Sequence, residues 1–147
     1  MNRVVKLLLA LVVLVGLGFG GFAVFEHFDQ AAVKKLAKRD CAKLDVVTGS
    51  PTLPAGLQLL PDQKLLKVQT QGKTSIVYAS APGVIDDVVQ IRDAVLQSLV
   101  AQGYTKKGTD QEAGIEAEGQ FGGKADGSIK VKPLCTDRLE IRYTIRG

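Results

Sequence analysis

Near the end of the chain Leu139, Ile141, Tyr143 and Ile145 alternate with Arg138, Glu140, Arg142, Thr144 and Arg146. On a helix, every second position walks around the cylinder; on a strand, alternate side chains stand on opposite faces. The segment therefore reads as a strand with one dry face and one charged face. Such strands belong to antiparallel sheets covered on a single side. The same period runs through Ile115, Ala117, Gly119 and Phe121 against Glu116, Glu118 and Gln120. It returns, after a turn over residues 122–127, in Ile129 and Val131 against Lys130 and Lys132, with Pro133 expected to end that strand. Upstream, Leu65–Thr70 and Ser75–Ala79 flank Gln71-Gly72-Lys73, the pattern of a hairpin. A weaker strand is expected near Tyr104–Lys107.

One helix supplies the cover. From Asp86 and Asp87 to about Gln102, Val88, Ile91, Val95 and Leu99 share a face, flanked by Val84, Ala94 and Leu96. Acidic residues suit the positive end of the helix, and Gly103 suits the position just past its C-terminus. Ser80-Ala81-Pro82-Gly83 reads as a break before it. The fold class is α+β: one helix packed on an antiparallel sheet of five or six strands, in the order β-β-α-β-β-β, over residues 64–147. Residues 46–63 carry Pro51, Pro54 and Pro61 with Gly49 and Gly56, a connector that cannot form a central strand.

The chain before this domain reads differently. An uncharged run from Leu7 to Phe25 follows Arg3 and Lys6. As a helix its 19 residues would reach roughly 28 Å, about the hydrocarbon thickness of a bilayer. Residues 1–28 are read as a signal anchor or transmembrane helix. The alternatives are cleavage near Ala23 with secretion, and the reversed orientation that Lys34, Lys35, Lys38 and Arg39 would favour. Gly16 and Gly20 have the small-xxx-small spacing of helix–helix contacts in membranes. Over residues 29–45, Val33, Leu36, Ala37, Cys41 and Leu44 recur at helical spacing among basic residues, an amphipathic juxtamembrane helix or stalk. Cys41 and Cys135 are the only two cysteines. Beyond the cytosol they are expected to form one disulfide, stabilising by at most about 4–5 kcal/mol.

Composition narrows the function. Residues 1–45 hold seven Lys/Arg against four Asp/Glu, and residues 46–147 twelve against eleven. The domain is therefore not basic overall, and aromatic residues make up only 5%. A nucleic-acid partner, which needs a basic face with stacking aromatics, is not expected. Gly72-Lys73-Thr74 lacks the glycine and the following helix of a phosphate loop. His27 is the one histidine, so no Cys/His metal set is available, and no nucleophile elbow occurs. No cofactor, metal or catalytic residue is expected, and the protein is read as no enzyme. The expected function is a membrane-anchored extracytoplasmic interaction module of the cell envelope, single-pass, with a protein or envelope partner. Its candidate binding residues are Lys130, Lys132, Arg138 and Arg142 on the wet sheet face, or the loop Ser80–Gly83. The same cations are expected to pair across the sheet with Asp110, Glu112, Glu116 and Glu118. The alternatives are an accessory subunit of a larger membrane complex, docked through Gly16 and Gly20, and a secreted small enzyme or inhibitor.

Overall fold

The computed structural model describes residues 31–42, 52–112 and 114–147. The apolar leader, Gly16, Gly20, His27 and Leu44 lie outside the described residues. Among those described, no helix is long and apolar enough to cross a membrane. Six strands form one sheet: β1 (Lys64–Gln71), β2 (Thr74–Pro82), β3 (Thr105–Glu112), β4 (Glu116–Gly122), β5 (Asp126–Cys135) and β6 (Arg138–Arg146). A single-turn 3-10 helix at Ile85–Asp87 leads into the helix Val88–Ala101, between β2 and β3. The spatial order is β1-β2-β6-β5-β4-β3, with every pairing antiparallel. The sheet is thus a hairpin, β1-β2, joined to a four-strand meander, β3 to β6, through the outer side of β6. The helix carries the chain from β2 to the far edge of the sheet.

The two-residue period sorts the faces as expected. Val77, Ala79 and Ala81 of β2, Ile129 and Val131 of β5, and Leu139, Ile141, Tyr143 and Ile145 of β6 are all buried on one face. Val88, Val95, Leu96 and Leu99 of the helix cover that face over β3, β4 and β5. The core also draws on residues before Lys64. Leu57 is buried in it, and Leu53, Leu59 and Leu60 pack against it. The Gln102 side chain accepts from Gln58 N (2.8 Å) and donates to Gln58 O (3.0 Å), fastening the connector to the helix end. Gln63 Oε1 accepts from the buried Tyr143 hydroxyl at 2.8 Å.

Four expectations are corrected. The weak strand near Tyr104 runs on to Glu112 as the sheet edge, where an exposed, polar strand has no apolar alternation to show. Ser80, Ala81 and Pro82 are not a loop but the end of β2, paired with Glu140, Leu139 and Arg138. Pro133 does not end its strand. It lies beyond the start of β4, so its missing N–H deprives no β4 carbonyl, and β5 continues through a register shift to Cys135. The helix expected through residue 45 is helical over residues 31–36, and the chain then turns. Competing bonds explain the stop: the Arg39 carbonyl accepts from Thr136 N (3.0 Å) and Oγ1 (3.1 Å), and Asp40 Oδ1 accepts from Ala42 N.

Two helix contacts went unforeseen. Arg92 is 5% exposed, deeper than the half-buried Ile91. Its guanidinium donates to Asp93 Oδ1 (3.0 Å), the Asp110 carbonyl (3.1 Å) and Gln111 Oε1 (3.3 Å), tying the helix to edge strand β3. At Gly119 the helix approaches the sheet so closely that an added Cβ would sit 2.8 Å from Leu96 Cδ1. Gly119→Ala should lower stability by about 1–3 kcal/mol in urea denaturation, the usual cost of overpacking. Gly108→Ala, whose Cβ would meet nothing within 4 Å, should stay within about 0.5 kcal/mol of wild type.

Candidate functional site

The sheet face away from the helix is polar and charged. Its side chains come from the even-numbered positions of β4, β5 and β6. Register puts them in rows across the strands, one reading Lys67, Tyr78, Arg142, Lys130, Glu118, Asp110 from β1 to β3. All four cations singled out in the sequence lie on the adjacent strands β5 and β6, but the fold treats them differently. Lys130 Nζ contacts both Glu116 Oε1 and Glu118 Oε1 at 2.6 Å. Burial works to lower the Lys130 pKa. Hydrogen bonds to the two glutamates and their charge outweigh it, and hold the ammonium above its ordinary value. Lys132 pairs with Glu140 of its own neighbour β6, at 3.3 Å, rather than with an acid of β3 or β4. Arg138 Nη1 donates to the Ser80 hydroxyl, which is 1% exposed, at 3.3 Å. Arg142 makes no side-chain hydrogen bond or ion pair with a described residue. Asp110 and Glu112, expected as partners of these cations, stand exposed on the edge strand instead. The expected cross-strand pairing therefore holds for Lys130 alone among the four.

At the Asp126–Arg146 end of this face lies a hollow of about 340 Å³. Gln120, Ser128 and Thr144, directly opposite one another on β4, β5 and β6, line it. Its rim carries Arg146 and the ion pair Lys107–Asp126, with Nζ 2.6 Å from Oδ1. Lys107 stands in the register shift of β3, and its stem passes where a Cβ on Gly122 would have to sit. The glycine is what lets the lysine reach Asp126. The hydrogen bond from Lys107 and then its charge hold the Asp126 carboxyl below its usual range, with Arg146 adding to the effect. The hollow was not legible in the sequence. Gln120, Ser128 and Thr144 stand on three successive strands, and only the register sets them opposite one another.

At the other end of β5, Cys41 and Cys135 form the expected disulfide, with Cα atoms 5.3 Å apart and 94 residues between them in sequence. Among the described residues, the one grouping of metal-type ligands is this pair with Asp137, and its two sulfurs are bonded to each other. No protein-family model, curated protein or solved structure matches the chain.

The Lys130 cluster gives a stability test with a defined sign. Because the folded pKa of Lys130 is raised, its contribution is complete below the unfolded value, near 10.5, and is lost as pH rises through the folded value. Lys130→Met should cost about 1 kcal/mol at pH 7, the range for charged hydrogen bonds discounted for partial exposure. In urea denaturation the gap between wild type and variant should narrow above about pH 10.5.

Proposed function

We propose that the protein is a membrane-anchored, extracytoplasmic interaction module of the cell envelope, which meets a protein or envelope partner with the wet face of its sheet. The observation that carries the reading is the disulfide. It joins a cysteine shortly after the apolar leader to one near the end of the domain, a bond that persists in oxidising compartments. The wet face adds to it. Its charges are ordered by register, and Arg142 is left unmatched at its centre, available to an anionic group on a partner. Arg138 and the ion-paired Lys130 and Lys132 frame that position, so in this reading they shape the contact and Arg142 supplies its free charge.

Thiol labelling tests the compartment, on cells whose outer barriers have been opened but whose cytoplasmic membrane is intact. Cys41 and Cys135 should resist maleimides until a reductant is added, and then react with a membrane-impermeant reagent. The protein should stay in the membrane fraction after carbonate washing. Thiols that are free beforehand and reached only by a permeant reagent would overturn the reading. Release of the protein into the soluble fraction would remove the anchor from it.

A further inference from the structure

We infer that the hollow at the Asp126–Arg146 end of the wet face binds a hydroxylated carboxylate, a sugar acid either free or as a unit of an acidic polysaccharide. The inference rests on the wet face being the interaction surface, and it names the ligand class for one part of that face.

Charge selects the anion. The rim cation Lys107 is taken by Asp126, and the neighbouring Glu118 shares Lys130 with Glu116. Arg146 remains, exposed and without a salt bridge to any described residue, and the carboxylate directly across the sheet from it, Asp126, is held by Lys107. A guanidinium with its hydrogen-bond donors open suits a single carboxylate, which it can grip through two parallel hydrogen bonds. A phosphate dianion would find only one free cation there. An apolar ligand would find a floor of amide and hydroxyl groups. Those groups are the second half of the argument. Gln120, Ser128 and Thr144 form no side-chain hydrogen bond with a described residue, so their donors and acceptors are open to a ligand. They stand in one row on adjacent strands, roughly 4.8 Å apart, with Arg146 two residues along β6 from Thr144, about 7 Å. An array of neutral hydrogen-bonding groups with a cation at one end matches a polyol that carries a carboxylate at one end. The volume of about 340 Å³ lies at the small end of ligand sites, which run from about 300 to 1,000 Å³. The floor residue Ser128 also lies seven residues along β5 from Cys135, about 23 Å at strand rise, clear of the disulfide.

The test uses the full chain in detergent micelles and titration calorimetry with glucuronate, glucose, acetate, inorganic phosphate and an oligogalacturonate. Glucuronate should bind saturably, with glucose and acetate each weaker by about tenfold or more, because each lacks one half of the match. Arg146→Gln should weaken glucuronate by about tenfold. Ser128→Ala combined with Thr144→Val should weaken it to a similar degree, whereas Lys67→Gln, on the same face outside the hollow, should leave it unchanged. Tighter binding of the oligomer identifies a polysaccharide as the source of the ligand, and equal affinity per unit identifies the free sugar acid. Non-reducing electrophoresis checks that each variant still closes its disulfide. The inference is overturned by acetate or phosphate binding as well as glucuronate, by an Arg146→Gln variant that binds normally, or by no saturable binding below about 10 mM. Such a failure beside protected thiols and a membrane location would remove the sugar-acid site and leave the interaction module standing. Free cytoplasmic thiols would remove the module whatever the hollow binds.

Discussion

Strand β6 is hydrogen-bonded along its length to β2 on one side and β5 on the other, and the rest of the architecture takes its orientation from that strand. Leu139, Ile141, Tyr143 and Ile145 set which face is dry. Through the register they also fix the dry positions Ala81, Ala79 and Val77 on β2 and Val131 and Ile129 on β5. A slip of one residue would carry all these side chains to the other face, so the pairing is strongly specified. The helix and the Leu57 connector then have one apolar surface to cover, and both lie against it.

Most of this was legible because a buried face imposes a period. The helix Val88–Ala101, the β1-β2 hairpin and the alternating strands β4 to β6 all carry such a face. What escaped notice lacked one, or depended on contacts distant in sequence. Strand β3 is an exposed edge whose Thr-Lys-Lys-Gly-Thr-Asp-Gln-Glu has no apolar side to display. Arg92 looks like a polar interruption of the helix stripe until the Asp110 carbonyl is placed beside its guanidinium. The helical spacing around Cys41 is genuine but local, and contacts with Thr136 and Cys135, about 95 residues away, override it. The hollow likewise exists only through register.

The electrostatics of the wet face follow the same logic. A composition-level view sees five cations on β5 and β6, namely Lys130, Lys132, Arg138, Arg142 and Arg146. The structure assigns one to two glutamates, one to Glu140 and one to a buried hydroxyl, and leaves Arg142 and Arg146 without an ion pair to a described residue. The face is accordingly a lattice of compensated charges with isolated vacancies, not a basic patch. Surfaces of that kind discriminate between partners by where charge sits more than by how much there is, because a misplaced charge meets a like one.

The central place of β6 also bears on how the chain is born. The covalent ring closed by Cys41 and Cys135 encloses the connector, the helix and five strands, while residues 138–146 lie outside it yet occupy the middle of the sheet. As the polypeptide is synthesised, the strands of the hairpin and of the β3–β5 meander all precede β6, which in the finished sheet pairs with the inner strand of each. Only the arrival of the last strand welds them together. Unpaired edges of this sort are where nascent chains stick to one another. Until β6 is in place the inner sides of β2 and β5 have no partner strand, so closing the sheet depends on its latest-made strand.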